Sequence, residues 1–131
     1  MRYPLDVSAL IALGIVRYEF HNRVLRWLRS QRGATLLTCP ITELGFVRIV
    51  SQASTYGYTV AESRNVLAAM KRTEAFQVSF IADAQNASHL PAWVKSSGQT
   101  TDGHLAELAK RHGAVLATLD RGIPGAFVIP D

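Results

Sequence analysis

Three aspartates occupy positions that a parallel sheet would bring to one edge. Asp6 directly follows a short apolar stretch, and Asp120 stands just past an apolar run of strand length. Asp102 opens a helical pattern that leads into that strand, so a helix packed antiparallel to it returns Asp102 to the same edge. In open α/β sheets, chemistry is found at the carboxyl ends of the strands. The sequence therefore predicts one acidic site at this edge.

A fourth acid, Glu43, is picked out by helical spacing. Phe46, Val47 and Val50 lie three, four and seven residues further on, so the carboxylate shares a face with apolar side chains. A carboxylate on a buried face needs a partner or a metal. The alternative is that the helix is apolar over most of its circumference and that Glu43 reaches its rim.

A set of carboxylates alone favours one kind of chemistry. Oxygen ligands suit the hard divalent cations Mg²⁺ and Mn²⁺. Two such ions, about 3.5–4 Å apart, position a water and stabilise the leaving oxygen in phosphodiester cleavage. Without a cation, the same cluster would be self-repulsive.

The elements around these acids alternate between strands and helices. In the last unit, Leu105, Leu108, Ala109 and His112 repeat at helical spacing. Thr101 is predicted to cap the start of this helix, and Gly113 to end it. The predicted strands are 3–5, 35–39, 76–81, 114–118 and 126–129, and the predicted helices are 7–14, 20–30, 40–51, 60–73 and 102–112, with 83–95 weakly helical.

This alternation predicts a single α/β domain over residues 1–131, a three-layer α/β/α arrangement with a central parallel sheet. Thr59 and Glu62 should form a capping box for the fourth helix. Pro4 lacks the N–H that a central strand needs, so it is expected at the very start of its strand.

Composition limits the class of protein. The chain is 48% hydrophobic, enough for a core, yet no segment reaches the roughly 18 apolar residues of a membrane span. We find no signal peptide, and the single cysteine, Cys39, suits a reducing cytoplasm and a buried structural role. We therefore expect a cytoplasmic protein with no membrane partner. The net charge of +4 is compatible with a nucleic-acid partner.

Five arginines cluster between positions 17 and 32, and three of them fall on the predicted helix 20–30. Arg23, Arg26 and Arg29 lie opposite its apolar face. They are candidates for contact with nucleic-acid phosphate or with a protein partner, and an ordinary solvated face is equally compatible. Ser8 could support the metal site or cap the first helix. His104, two residues after Asp102, could reach a substrate.

Motifs of other function classes are missing. The sequence has no phosphate-binding loop, dinucleotide fingerprint, nucleophile elbow or paired-cysteine zinc spacing. A phosphoacceptor receiver domain would need an acidic pair after the first strand and a lysine after a late strand. Here Arg2 and Tyr3 precede Asp6, and no lysine follows His112. A catalytically inactive module that only binds RNA or a partner remains the alternative.

Four segments carry a resemblance to a known family. They are L-D-V-S-A-L-I-A-L at 5–13, T-C-P-I-T-E-L-G-F-V-R at 38–48, T-D-G-H-L-A-E-L-A at 101–109 and L-A-T-L-D-R-G at 116–122. In order and spacing the chain resembles a PIN-domain ribonuclease of the VapC toxin family. Pro4, Gly103 and His104 depart from the usual pattern.

The resemblance implies the strand order 3-2-1-4-5 and a metal-dependent endoribonuclease acting on tRNA, rRNA or mRNA. Asp6 and Asp102 would be the central Mg²⁺ or Mn²⁺ ligands, while Glu43 and Asp120 would bind directly or through water. Ser8 and Thr101 would support them. In-line attack of a metal-activated water would leave a 3′-hydroxyl and a 5′-phosphate. A homodimer and a neutralising VapB-type antitoxin are the partners that the resemblance implies.

Overall fold

A computed structural model describes residues 1–131 in full. The helices are α1 (Val7–Gly14), α2 (His21–Ser30), α3 (Pro40–Gln52), α4 (Val60–Arg72) and α5 (Thr100–Arg111). The strands are β1 (Arg2–Pro4), β2 (Thr35–Thr38), β3 (Gln77–Phe80), β4 (Ala117–Thr118) and β5 (Phe127–Val128). Two 3₁₀ turns, Ala87–His89 and Ser97–Gln99, precede α5. No helix combines the length and the apolar character that a membrane crossing requires.

Local capping signals determine several helix ends. In the predicted box of α4, the Glu62 N–H donates to Thr59 Oγ1 at 3.0 Å and the Thr59 N–H donates to Glu62 Oε1 at 2.9 Å. Gly113 has a φ of 62°, the left-handed conformation expected after a helix. The prediction that Thr101 caps α5 is wrong. A 3₁₀ turn leads directly into α5 at Thr100, so Thr101 is already helical.

Two predicted segments are shorter in the structure. Residues 83–95 contain only the 3₁₀ turn Ala87–His89, because this segment packs as a loop against α5. Gly103 allows that close approach: an added Cβ would collide with Val94 and lie 3.3 Å from Pro91 Cδ. The predicted strand 114–118 is reduced to Ala117–Thr118.

The sheet is parallel, as predicted, but its two parts are weakly joined. β1, β2 and β3 form one ladder in the order β1-β2-β3, and β4 pairs with β5 in a second ladder. A single parallel bridge, between Leu5 and Ala117, joins β1 to β4. The continuous order 3-2-1-4-5 depends on that one bridge.

Pro4 explains the interruption between β1 and β4. It is the last residue of β1, so the expectation that it begins the strand is wrong. The Asp6 N–H donates to the Ala117 carbonyl at 3.4 Å, and the Arg2 carbonyl accepts from Val115 N–H at 3.2 Å. Backbone N–H groups two residues apart point to the same neighbour, so position 4 also faces β4. Proline has no N–H to donate there.

The three predicted layers follow from the two-residue period of the strands. Leu36 and Ala117 face a core of 17 buried residues shared with α1 to α4. Their neighbours Leu37 and Leu116 face a smaller core of 8 buried residues against α5. Cys39 is a buried member of this second core, in agreement with its predicted structural role.

Candidate active site

Asp6 is held rigidly where β1 passes into α1. Its Oδ1 accepts the Ala9 N–H at 2.9 Å and so caps α1, while its Oδ2 accepts a hydrogen bond from the Thr118 hydroxyl. Only 8% of the residue is exposed. The carboxylate is therefore fixed in orientation from two sides, by its own helix and by β4.

Thr118 links Asp6 to Asp120. Its Oγ1, besides donating to Asp6, accepts the Asp120 N–H at 2.9 Å. The Asp120 side chain is itself oriented by a turn, because its Oδ1 accepts the Gly122 N–H at 2.7 Å. Thr118 is fully buried and was not identified from the sequence. Its position as the last residue of a strand just before an acid is the signal that could have revealed it.

Asp102 completes a group of three interacting carboxylates. It lies in the first turn of α5, half-buried, and its side chain has no protein hydrogen bond or ion pair. Burial raises its pKa first, and the negative charges of Asp6 and Asp120 raise it further. The three aspartates that the sequence placed at one edge are thus close enough to repel one another.

Burial also raises the pKa of Asp6. The hydrogen bonds from Thr118 and Ala9 oppose that shift, and the charge of Asp120 adds to it. Two of the three aspartates therefore resist ionisation in the protein alone. A nearby cation would favour their charged forms.

Glu43 is in the first turn of α3, but it is engaged elsewhere. Its Oε2 accepts the Thr38 hydroxyl at 2.5 Å and forms an ion pair with Lys71 Nζ at 2.6 Å. A carboxylate on a largely buried face needs a partner or a metal, and Lys71 is that partner for Glu43. Close packing of α1 on α3 sets the placement of Glu43 relative to Asp6: a Cβ at Gly45 would lie 2.7 Å from Val7 Cγ2.

The oxygen atoms of the four acids are ligands of the kind that a hard divalent cation prefers. All four acids are carboxylates, and no Lys or Arg is paired with Asp6, Asp102 or Asp120. No three acidic, histidine or cysteine side chains are grouped tightly enough to hold an ion as they stand. Asp6, Asp102 and Asp120 are the residues that would hold it, with Glu43 available if its pair with Lys71 opens.

The supporting residues have separate locations. Ser8 is exposed in the first turn of α1, next to the phenol of Tyr18. Thr101 is exposed in the first turn of α5. His104 turns away from solvent, and its Nε2 forms a hydrogen bond with Asp83 Oδ2. Gln85 Nε2 donates to the His104 carbonyl at 3.1 Å. This cluster ties the loop after β3 to α5.

The three arginines of α2 do not form one surface. Arg23 Nε donates to the Ile129 carbonyl at 3.0 Å, and its Nη1 pairs with Asp131 at 3.2 Å. Its side chain is only 13% exposed, so it anchors the C-terminal segment. Arg26 and Arg29 are exposed and have no ion pair. Contact with RNA or with a protein partner therefore remains a prediction chiefly for these two.

Changing Arg26 and Arg29 together to Gln is expected to flatten the salt dependence of RNA binding. Removal of each phosphate contact should lower the log–log slope by about one unit, because fewer counterions are released. Filter binding between low and moderate salt measures the slope. Arg72 and Lys110, also exposed and unpaired, supply the matched double Gln control. An unchanged slope in the α2 variant would make this helix face an ordinary solvated one.

Comparison with known proteins identifies the family. The model of the PIN domain matches residues 3–126. Ribonuclease VapC38 of Mycobacterium tuberculosis is 35% identical over 126 residues, covering 91% of this chain and 85% of the relative. Ribonuclease VapC29 of the same species is 33% identical over 124 residues, covering 94% and 89%. The chain belongs to the PIN-domain family and, within it, to the VapC ribonucleases.

Solved structures agree on the fold. The sarcin-ricin loop cleaving toxin VapC20 of Mycobacterium tuberculosis superimposes with a TM-score of 0.67 at 15% identity, over 98% of this chain and 99% of that one. VapBC2 of Rickettsia felis, bound to a DNA fragment from its promoter, gives a TM-score of 0.61 at 14% identity, over 98% and 97%.

Proposed function

We propose that this ribonuclease is a toxin whose cleavage of cellular RNA depends on Mg²⁺ or Mn²⁺. The observation that carries the proposal is the grouping of three aspartates that have no basic partner. Thr118 joins Asp6 to Asp120 by hydrogen bonds, and the charges of both raise the pKa of Asp102, which burial raises first. Cleavage of the sarcin-ricin loop by the related toxin VapC20 supports RNA as the substrate class. Transfer RNA and messenger RNA are equally compatible with the site.

The residues of the chain have distinct roles in the proposed reaction. A divalent cation held by Asp6, Asp102 and Asp120 would supply the positive charge that activates water and stabilises the leaving oxygen of the phosphodiester. Asp6 is pre-oriented by Ala9 and Thr118, so little reorganisation is needed when the cation binds. Asp120 is oriented by Gly122, and Asp102 offers two free oxygens. In-line displacement leaves a 3′-hydroxyl and a 5′-phosphate.

Purified protein is expected to cleave total RNA in the presence of Mg²⁺ or Mn²⁺ and to stop in excess EDTA. The reason is that an all-carboxylate site has no cationic group of its own to balance the charge that develops on phosphate. Gel analysis of cellular RNA with each metal, with EDTA, and with metal restored measures the dependence. Mapping of the new 5′ ends identifies the cleaved RNA.

A matched pair of variants separates this site from contaminating nuclease: Asp102→Asn should lose cleavage, and the control variant should keep it. Glu74 is an exposed acid at the amino-terminal side of β3, so Glu74→Gln should cleave like the parent. Activity that persists in excess EDTA would contradict metal dependence. Absence of cleavage under every condition, with RNA binding retained, would favour the binding-only alternative.

A neutralising partner has a suitable surface next to Glu43. Leu44 and Val60 are 71% and 55% exposed, and they line a groove of about 570 Å³ between α3 and α4, with Arg64 and Lys71 at its border. VapBC2 is a complex of toxin and antitoxin, which supports an antitoxin of VapB type as the partner here.

We propose that the toxin is also a homodimer. Sedimentation of the chain alone and with the antitoxin tests both assemblies.

A further inference from the structure

An aromatic pair stands beside the acidic site without a part in the chemistry above. The rings of Tyr18 and Tyr56 meet edge to face with their centroids 6.5 Å apart, and Phe20 supports Tyr18 from another side at 5.4 Å. Both tyrosines are half-buried, so each keeps some surface open to solvent. Rings held in this way lose little conformational freedom when a ligand packs on them.

Tyr18 lies against the first turn of α1. Burial raises the pKa of the Tyr18 phenol first, and the neighbouring Tyr56, Glu19 and Asp6 raise it further, while the adjacent Ser8 hydroxyl lowers it. Ser8, which lies against the phenol, is in the first turn of α1, and Asp6 caps that same turn through the Ala9 N–H. The tyrosines therefore border the acidic site on the α1 side.

A basic side chain completes the same surface. Arg17 is exposed, and its Nη2 donates to the Tyr56 carbonyl, which ties the loop after α3 to the segment after α1. Arg17 has no ion pair, so its charge is available to an anion. Val16 beside it is 75% exposed. We call the surface of Arg17, Tyr18 and Tyr56 the aromatic rim.

We propose that the aromatic rim binds an unpaired nucleotide of the substrate RNA, with the base stacked on Tyr18, the Tyr56 ring against the edge of the base, and a flanking phosphate on Arg17. This inference rests on the proposed function, because it takes RNA as the substrate. Aromatic faces with an adjacent cation are the common means of holding single-stranded nucleic acid. An unpaired base at this position would place its neighbouring phosphate towards Asp6. The rim would thus select a single-stranded nucleotide beside the cleaved bond.

The test compares an aromatic with an aliphatic side chain at position 18. A short single-stranded oligoribonucleotide carrying one 2-aminopurine is titrated into the Asp102→Asn protein, which should not cleave it. Stacking on the rim quenches the fluorescence of 2-aminopurine. Tyr18→Leu should weaken binding about 5- to 150-fold, because base stacking on an aromatic ring contributes roughly 1–3 kcal/mol. Tyr18→Phe keeps the ring and should retain both affinity and quenching.

Additional measurements keep the result independent of folding. Tyr56→Leu leaves the backbone carbonyl that Arg17 uses, so it serves as the second variant if Tyr18→Leu fails to melt cooperatively. Unchanged affinity and quenching in the aliphatic variants would overturn the proposal. Unchanged RNA binding with altered sedimentation would also overturn it and assign the rim to a protein contact. If the parent does not cleave RNA yet binding depends on the ring, the proposed function fails and the rim inference stands.

Discussion

Asp6→Asn is expected to relieve the growth arrest that induced expression of the parent chain causes. The same change should reduce RNA cleavage by more than about 100-fold, since loss of a residue that only supports a metal ligand already costs about 10- to 100-fold. Asn keeps the shape of the side chain. Its Oδ1 can still accept the Ala9 N–H that caps α1, while its amide donates to Thr118, whose hydroxyl can reverse its role.

The variant is therefore expected to fold, and growth after induction reports catalysis rather than loss of protein. Immunoblotting confirms equal accumulation, and Glu74→Gln is the matched control that should still arrest growth. If Asp6→Asn arrests growth as strongly as the parent at equal abundance, the arrest does not come from the acidic site.

The placement of the acids was predictable because it depends on local patterns. Asp6 follows a strand of three residues closely and caps the next helix. Asp102 lies in the first turn of an amphipathic helix. Parallel topology then brings the ends together. Electrostatic coupling of Asp6 and Asp102 with Asp120 agrees with this interpretation. Their role as metal ligands stays a prediction.

The partners of the acids were not predictable in the same way. Thr118 reaches Asp6 across 112 residues of sequence, and Lys71 reaches Glu43 from a different helix. Such contacts depend on how the elements pack, which no local pattern encodes. The pairing of Glu43 with Lys71 changes its interpretation: a carboxylate that already has a cationic partner must release it before it binds a metal ion directly.

The arginines of α2 illustrate the same limit. Helical spacing correctly put Arg23, Arg26 and Arg29 on the polar side of α2. It could not reveal that the C-terminal carbonyl groups lie against Arg23, because this contact joins residues 106 positions apart. In the structure Arg23 holds the C-terminal segment, whereas Arg26 and Arg29 are exposed and have no ion pair. For Pro4 the sequence correctly predicted a missing hydrogen bond in the ladder. Only its position was wrong, because Pro4 ends β1 and does not begin it.

Asp102→Asn should separate stability from activity. Asp102 has a raised pKa in the folded protein, caused by burial and then by Asp6 and Asp120. A group with a raised folded pKa favours folding below its unfolded pKa and loses that contribution as pH rises through the folded value. Near neutral pH the folded protein carries the full cost of an ionised Asp102. Asp102→Asn removes that charge and should therefore raise the melting temperature when no metal is bound. Because the side chain is partly exposed, the gain is about 1 kcal/mol or less, roughly 3 °C.

Mg²⁺ should make the parent melt at a higher temperature than Asp102→Asn, the reverse of the order in EDTA. Mg²⁺ at about 100 times its dissociation constant stabilises the parent by roughly 2.7 kcal/mol, and the variant, which lacks a ligand, much less. Cleavage by Asp102→Asn should be lost under both conditions. Thermal scans of parent and variant, each in EDTA and in Mg²⁺ at neutral pH, measure both effects.

Asp83 provides a control of opposite sign. Its burial would raise the carboxyl pKa, but hydrogen bonds from His104 and Gln85 outweigh that effect and lower it. Ionised Asp83 therefore stabilises the fold at neutral pH, and this contribution is lost as pH falls through the folded pKa. Asp83→Asn should melt lower than the parent in EDTA and still gain stability from Mg²⁺. If Asp102→Asn also melts lower in EDTA, and Mg²⁺ shifts all three proteins equally, then Asp102 is not part of a self-repelling metal site.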